Sequence, residues 1–511
     1  MPTTVWFIEC SAPHWPAVAE ALAAQNIEIA LWTGMESLYP KGAAREFIDT
    51  ALAKVGKHDH SGAPRRGPFT PTAQAVWEEE AQIVFDMFNR FDHSRDMGSV
   101  ERQILFERIL CFWTHYLETK RPDLVVFPAP PHVVYDYILL CLCRRLGIRT
   151  LMFEEATIVM PHRLEMSDYQ VGDETLRAAI GKIAATSPEA DKIAATLRGD
   201  YRDAIPPREV EARGTMKFPS ARERKRRLLA AFVHDFMQSG WMPNTAALTK
   251  QSGLPLDRSF AGTFPRLRYA RQVQEEQNTM LRWRGHYEHL STPLDRIEGP
   301  IVYLPLAGQP ERTSNPQAGI FANQQLIVRL LSDYAPPGTT VVVKEHPNQF
   351  HPNFYANMCR SEDYYREMAV KPRVRIVPTS TNPFDLIDRS IAVATTGGTA
   401  ALEAVARGKP VLLFGDAWYR DCPGMIRVRT GEDVRRFFAD PPTVPDDSMA
   451  RFIEAVMQSC KRGMADFPPS SWVMDEAENK RNLVASILGR LERARPPVRR
   501  LDHRVPDERM A

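Results

Sequence analysis

Short apolar segments alternate with helix-patterned segments through both halves of the chain, and this alternation limits the fold more than any other feature. Strands that are joined through helices pair in parallel sheets, which need helices on both faces. The pattern therefore predicts an α/β protein with two doubly wound, Rossmann-like domains that face each other across a cleft. The apolar, strand-like segments are residues 5–8, 27–32, 123–127, 149–153, 301–304, 339–344, 374–377, 390–394 and 411–414.

The length of 511 residues exceeds what one hydrophobic core usually supports, so two domains are expected. We predict an N-terminal Rossmann-like domain over residues 1–165 and a C-terminal one over 291–485. Residues 166–290 are charged, helix-patterned and interrupted by prolines, which predicts a helical insertion and the crossover between domains. Residues 486–511 are basic and are predicted to form a disordered tail.

The chain carries 65 basic and 63 acidic side chains, so its net charge gives no reason to expect a nucleic-acid partner. Two dense basic runs occur, at 222–227 and at 493–504. Solvated helix ends and a disordered tail are their ordinary explanation. The alternative is contact with the anionic inner face of a membrane or with an acidic polymer.

Several features concern the cellular compartment. The seven cysteines form no paired CxxC pattern, which is typical of reduced thiols in a cytoplasm. The N-terminal residues are predicted to form a first strand rather than a signal peptide. Apolar stretches fall short of the roughly 20 residues that span a bilayer. We therefore expect a cytoplasmic protein, peripheral at the inner membrane at most.

The segment Thr395–Thr399 lies where a predicted strand runs into a helix. Gly397 and Gly398 allow the backbone to turn tightly and approach a ligand. Thr399 is placed to cap the helix, and the first N–H groups of the helix, with Thr396 beside them, are predicted to hold a phosphate. Glu403, about one helical turn later, is predicted to reach a ribose or sugar hydroxyl. A lone glycine pair is more often an ordinary turn, and the dinucleotide fingerprint GxGxxG is absent.

Other polar clusters follow the neighbouring strands in the same way. Lys344, Glu345 and His346 follow one strand, and Pro347 fixes the turn that directs them. His346 is predicted to donate a hydrogen bond to a phosphate, whose charge Lys344 would neutralise. Each cluster alone has an ordinary structural explanation, but parallel strands bring their carboxyl ends side by side. Gly415 is predicted to let a base or ribose approach closely, and Trp418 and Tyr419 to offer a stacking surface. The remaining candidates at these strand ends are Gln309, Glu311 and Arg312.

The motifs QPER at 309–312, KEHP at 344–347 and ATTGGTAALEA at 394–404 resemble those of the capsule polysaccharide biosynthesis family, which includes bacterial Kdo transferases. The resemblance is dense over residues 300–425 and looser over 123–155. It implies the GT-B arrangement, with a nucleotide sugar held mainly by the C-terminal domain and its phosphate contacted by His346-Pro347. The family's QPxPE element is matched only in part by Gln309-Pro310-Glu311, so CMP-Kdo is one candidate donor among others.

Such a transferase moves a sugar from a nucleotide to an acceptor hydroxyl on a surface polysaccharide or glycolipid. Lys344, His346 and the helix after Gly398 would stabilise the phosphate that leaves, so neither a metal nor a further cofactor is expected. An inverting reaction also needs a general base from the N-terminal domain. The candidates for that base are Glu154, Glu155 and His132, and the sequence leaves retention and inversion both open.

Three other functions compete with glycosyl transfer. A nucleotide-sugar epimerase of the same fold would act without an acceptor. A non-catalytic capsule assembly or export protein would tolerate the loss of Lys344 or His346. A nucleic-acid-binding protein is the weakest alternative, because the chain contains no recognised binding module.

Overall fold

A computed structural model describes residues 2–50, 67–90, 92, 97–199, 220–239, 265–350, 359–467 and 474–493. Its first sheet has seven strands in the order β13-β6-β5-β4-β1-β2-β3. The five strands from β5 to β3 are parallel, whereas β6 and β13 are antiparallel additions at one edge. The strands are β1 Thr3–Phe7, β2 Ile27–Gly34, β3 Glu46–Asp49, β4 Leu124–Phe127, β5 Thr150–Glu155, β6 His162–Met166 and β13 Lys461–Arg462.

Helices cover both faces of this sheet, and each face is packed with large apolar side chains. Trp6 and Trp113 meet on one face, and Phe7 and Trp15 on the other. This burial on both faces is why the strands are continuous apolar runs in the sequence. The helices in this part of the chain are α1 Trp15–Ala23, α2 Pro71–Met87, α3 Ser99–Thr119 and α4 Tyr135–Leu146.

The second sheet has six strands, all parallel, in the order β12-β11-β10-β7-β8-β9. Pro305 pairs with Lys344 and Thr395 with Leu413, so the carboxyl ends of these neighbouring strands lie level with each other. The predicted alternation of strands and helices is confirmed here. The strands are β7 Ile301–Pro305, β8 Thr340–Lys344, β9 Val374–Ile376, β10 Ser390–Thr395, β11 Val411–Leu413 and β12 Met425–Arg427.

The helices around the second sheet bury both of its faces. Two of them come from the predicted insertion, because α5 and α6 pack against the same apolar layer as β7 and β10. The helices in chain order are α5 Glu174–Ile180, α6 Pro188–Arg198, α7 Ala221–Ser239, α8 Pro265–Leu290, α9 Gln325–Tyr334, α10 Glu362–Ala369, α11 Pro383–Arg389, α12 Ala400–Ala406, α13 Gly431–Ala439 and α14 Ser448–Ser459.

After α14 the chain returns to the first sheet. Strand β13 pairs with β6, and helix α15, Glu476–Glu492, packs Leu483 and Ile487 against the strands β1 and β4. The prediction assigned residues 291–485 to one C-terminal domain and did not include this return. Residues 486–492, which were predicted to begin a disordered tail, instead complete α15. The basic residues beyond 493 lie outside the described residues.

Two findings bear on the predicted compartment. None of the seven cysteines, which all lie in the described ranges, forms a disulfide. Within those same ranges, no helix combines the length and the apolar character needed to cross a bilayer.

Candidate functional site

The loop that follows β7, residues 306–324, lies between the two sheets. Arg312 Nη2 donates a hydrogen bond to Glu154 Oε1 at 3.0 Å, and Gln317 Nε2 donates to Glu154 Oε2 at 3.2 Å. At the other side of the loop, Asn315 Nδ2 donates to the carbonyl oxygen of Ile83 at 3.1 Å. One loop of the C-terminal domain thus makes polar contacts with two separate parts of the N-terminal domain.

Glu154, one of the predicted bases, is buried at the end of β5. Burial raises the pKa of its carboxyl group, while Arg312 and Gln317 lower it. Both carboxylate oxygens accept hydrogen bonds from these two side chains. This geometry favours a role in joining the domains over proton transfer from an acceptor.

Glu155, the next residue, has a pKa that suits a base at neutral pH. Burial raises the pKa of its carboxyl group to about 7; Arg312 opposes the rise, and Asp466 and Glu154 add to it. A group with this pKa is partly ionised at neutral pH, so it can both accept and release a proton.

His132, the third predicted base, lies just before α4. Its backbone N–H donates to Asp136 Oδ2 at 3.0 Å, and its Nδ1 lies 2.9 Å from the carbonyl oxygen of Pro130. That contact suits a ring protonated on Nδ1, which leaves Nε2 as the basic nitrogen. His132 therefore stays a candidate, on a different strand end from Glu155.

In the turn after β8, Glu345 is fully buried rather than directed at a ligand. Its carboxylate accepts hydrogen bonds from Arg360 Nε at 2.8 Å, from Tyr365 Oη at 2.7 Å and from the backbone N–H of His346 at 2.7 Å. The hydroxyl of Tyr287, on α8, accepts from the backbone N–H of Glu345 at 2.9 Å. Glu345 therefore fixes the backbone that carries Lys344, itself buried, and His346.

The loops after β7 and β8 meet at Gly308. A methyl group on Gly308 would lie 2.7 Å from Glu311 Oε1 and 3.5 Å from His346 Nδ1, so both side chains lie against this glycine. The backbone N–H of Gln309 donates to Gln349 Oε1 at 2.9 Å, within the short turn that begins at Pro347. Three predicted ligand residues, Gln309, Glu311 and His346, are thus brought together.

The turn after β10 differs from its prediction in how its polar groups are used. Thr399 precedes α12 in helical conformation and makes no capping hydrogen bond, because side-chain capping requires an extended residue there. The N–H groups of Gly397 and Gly398 instead donate to Thr395 Oγ1, each at 3.3 Å. These two N–H groups stabilise the turn, and the predicted binding of a phosphate by the first N–H groups of α12 stays a prediction. Thr396 Oγ1 is buried and has no hydrogen-bond partner among the described residues.

The segment after β11 packs tightly on this turn. A methyl group on Gly415 would lie 1.8 Å from the carbonyl oxygen of Thr396, so only glycine fits there. Tyr419 Oη donates to the carbonyl oxygen of Gly398 at 2.6 Å. Tyr419 and Trp418 are both buried, and Trp418 stacks on Phe452. The prediction that they offer a stacking surface for a base is therefore wrong, because both rings belong to the core.

Glu403, on α12, is buried as well. Burial raises the pKa of the Tyr303 phenol on β7, and the charge of Glu403 raises it further. The two side chains are therefore close. Glu403 therefore lies close to β7, and its predicted contact with a ribose or sugar hydroxyl stays a prediction.

Sequence reasoning missed a further polar cluster at the end of β1. Glu9 has a positive φ of 60°, and its carboxylate accepts from Tyr135 Oη at 2.6 Å and Thr50 Oγ1 at 3.2 Å. Burial and the charge of Glu9 raise the pKa of Asp136 to about 7. The available signal was the polar run Glu9-Cys10-Ser11 directly after a buried strand.

A cavity of about 750 Å³ lies beside the loop 306–324, between that loop and α2. Acidic and amide side chains predominate along the wall that the N-terminal domain contributes. Arg360 also lines the cavity, but its charge is paired with Glu345. The described residues contain no group of three or more His, Cys, Asp or Glu side chains arranged to hold a metal ion. The polar residues from α2 and the following turn that line the cavity are Glu79, Gln82, Asp86 and Asn89.

Comparison with solved structures finds several matches of low sequence identity. A beta Kdo 2,7 transferase, KpsC of Thermosulfurimonas dismutans, is 9% identical, with 77% of this chain and 90% of that chain covered and a TM-score of 0.29. A UDP-GlcNAc 2-epimerase from Methanocaldococcus jannaschii is 11% identical, with 90% and 100% covered and a TM-score of 0.22. A glycosyltransferase from Rickettsia africae is 8% identical, with 96% and 100% covered and a TM-score of 0.25.

No curated protein matches the sequence. The family model described as capsule polysaccharide biosynthesis protein matches residues 315–454. That range begins in the loop after β7 and includes β8 to β12, with the turns at His346, Gly397 and Gly415. The resemblance that the motifs indicated is therefore confirmed for residues 315–454, the part of the chain that carries these turns and matches the capsule polysaccharide biosynthesis family model.

Proposed function

We propose that the protein is a GT-B glycosyltransferase that transfers a sugar from a nucleotide donor to a surface polysaccharide or glycolipid acceptor. The observation that carries this proposal is the meeting of Gln309, Glu311 and His346 at Gly308. The turn of Gly397 adjoins them, since a methyl group there would lie 3.7 Å from the carbonyl oxygen of Thr313. Polar groups at adjacent strand ends form the usual ligand crevice of an open α/β sheet.

In the proposed reaction, an acceptor hydroxyl oxygen attacks the anomeric carbon of the donor sugar. A new C–O bond forms while the bond from that carbon to the phosphate oxygen breaks, and its electron pair leaves with the nucleotide. His346 donates a hydrogen bond to the departing phosphate and Lys344 offsets its charge. This stabilisation by side chains is the basis for proposing a reaction independent of metal and cofactor.

For an inverting reaction, we assign the acceptor's proton to the carboxylate of Glu155. Its pKa of about 7 supports this choice over Glu154, whose carboxylate oxygens accept from Arg312 and Gln317. The acceptor approaches, in this proposal, through the cavity beside α2. A neutral saccharide suits that wall better than a nucleotide, because its acidic side chains would repel a phosphate.

A thermal-shift screen against CMP, UDP, GDP and their sugars tests the donor site. A nucleotide at a hundred times its Kd should stabilise the wild-type protein by about 2.7 kcal/mol. His346→Ala should lose most of that stabilisation, while His289→Ala, a change at an exposed position on α8, should keep it. A wild-type protein that responds to none of these nucleotides would refute the proposal.

The competing functions give different results in product analysis. An epimerase would convert a nucleotide sugar in the absence of any acceptor, and a transferase would not. Polymer production that survives both Lys344→Ala and His346→Ala would indicate a non-catalytic assembly protein instead.

A further inference from the structure

Helix α7, Ala221–Ser239, carries an exposed apolar face. Leu229 is 64% exposed, Val233 44%, Phe236 49% and Met237 80%, and Phe232 lies among them with its ring stacked on that of Phe236. Their spacing of three and four residues places all five side chains on one face. Large apolar side chains grouped in this way usually mark an interaction surface.

The opposite side of α7 provides its attachment to the protein. The helix packs against α8, and its Leu228 and Ala231 are half-buried. Its start is stabilised locally, since Ser220 Oγ accepts from the backbone N–H of Glu223 and Glu223 Oε2 accepts from that of Ser220. Such a reciprocal cap stabilises the helix start without a partner. The apolar face is therefore available on an anchored helix.

The same exposed face is basic over the first turns of the helix. Arg222, Lys225 and Arg226 are exposed, and at 100° per residue they fall in line with the apolar side chains. Positive charge near a helix N-terminus is unfavourable for the helix dipole, so this arrangement costs the isolated helix some stability. An external anionic surface would remove that cost.

We propose that this basic and apolar face of α7 binds an anionic lipid bilayer, with the helix lying in the plane of the interface. The basic side chains would contact lipid headgroups, while Phe236 and Met237 enter the boundary with the acyl chains. The positive charge of the first turns favours a bilayer over a second copy of the chain as the partner. The α7 of a second copy would carry the same charges and repel this face. The surface lies on a different element from the proposed donor site.

Vesicle flotation with the purified full-length protein tests this proposal independently of any transferase activity. Wild-type protein should float with vesicles that contain about 30% phosphatidylglycerol and stay behind with pure phosphatidylcholine. A variant that combines Arg222→Ala, Lys225→Ala and Arg226→Ala should partition onto the vesicles about a hundredfold less, because each charge contributes roughly fivefold. Phe236→Ser with Met237→Ser should lower it by about tenfold or more.

A matched control removes three exposed arginines from other helices, by Arg366→Ala, Arg435→Ala and Arg436→Ala. It changes the net charge as the basic triple variant does, and its partitioning should stay within about twofold of wild type. Thermal unfolding of every variant checks that the fold persists.

Equal binding to neutral and anionic vesicles, or binding to neither, would overturn the proposal. So would light scattering that shows a wild-type dimer and a monomeric Phe236→Ser, Met237→Ser variant, because the face would then contact a second copy. Failure of either kind leaves the nucleotide thermal-shift result unaffected.

Discussion

The buried ion pair between Glu345 and Arg360 offers a direct test of how the strand-end turns are held. Glu345 is fully buried and the Arg360 side chain is 1% exposed. Arg360 Nε lies 2.8 Å from Glu345 Oε2, and Arg360 Nη2 also donates to the carbonyl oxygen of Ala307 at 3.1 Å. The pair therefore ties the loop after β7 to the turn after β8.

The substitution Glu345→Gln keeps the side-chain shape and removes the charge. It leaves the Arg360 guanidinium buried without a counter-ion and directs an amide N–H group at another donor. Breaking a buried pair from one side costs about 3–5 kcal/mol. Arg360→Met should cost a similar amount, because it leaves the Glu345 carboxylate buried with Tyr365 as its remaining side-chain donor among the described residues.

The double variant separates the interaction energy of the Glu345–Arg360 pair from the cost of each single substitution. Glu345→Gln with Arg360→Met should be more stable than the sum of the single effects by at least about 2 kcal/mol. Urea unfolding followed by intrinsic fluorescence measures these differences, and a thermal-shift titration measures nucleotide affinity in parallel. We expect affinity to fall with Glu345→Gln, because the backbone N–H of His346 loses a carboxylate acceptor. Additive costs, or a cost for Glu345→Gln below about 1 kcal/mol, would refute a structural role for the pair.

Three further predictions use other features of the site. Thr396→Val removes a buried hydroxyl that lacks a partner among the described residues, so urea unfolding should show a gain of about 1 kcal/mol, while calorimetry should show weaker nucleotide binding. Unchanged nucleotide affinity would exclude that hydroxyl from the donor site. Gly415→Ala places a methyl group 1.8 Å from a carbonyl oxygen and should cost about 3 kcal/mol or more; Gly181→Ala, with nothing within 4 Å, is the control. Glu155→Gln should abolish a pH dependence of the free energy of unfolding. The reason is that a carboxyl group whose pKa is raised from 4.5 to about 7 destabilises the folded state as pH rises through that range. If wild type and variant lost the same stability between those pH values, the raised pKa could not belong to Glu155.

The sequence allowed much of the second sheet to be predicted, because its strands are continuous apolar runs with glycine or proline at their ends. The strand predicted at 339–344 is observed at Thr340–Lys344, and the strand predicted at 390–394 is observed at Ser390–Thr395. The return of α15 to the first sheet was missed for a physical reason. Its apolar residues Leu483 and Ile487 specify a helix with one buried face, but they do not specify which of two sheets will cover it.

The candidate site shows a similar division. Parallel pairing of the strands predicted that their carboxyl ends would meet. The contact of Glu311 and His346 with Gly308 agrees with this prediction. What each polar group does there depended on partners that are distant in sequence. Glu345 is structural because Arg360 lies 15 residues later in the chain and folds back onto it. Spacing within one motif carries no information about such a partner.

Arg312 connects the proposed donor side with the proposed base, and this connection predicts a pH effect. Its guanidinium donates to Glu154 at 3.0 Å and opposes the rise that burial causes in the pKa of Glu155. Arg312→Gln keeps a hydrogen-bond donor and removes the charge, so the pKa of Glu155 should move further above 7. The stability lost by ionising Glu155 then shifts to higher pH, and any activity that needs its carboxylate shifts in the same direction. Urea unfolding from pH 5 to about 9 measures the first shift. A profile identical to that of wild type would mean that Arg312 lowers the pKa of neither carboxyl group, and the electrostatic link between the two domains would have to be abandoned.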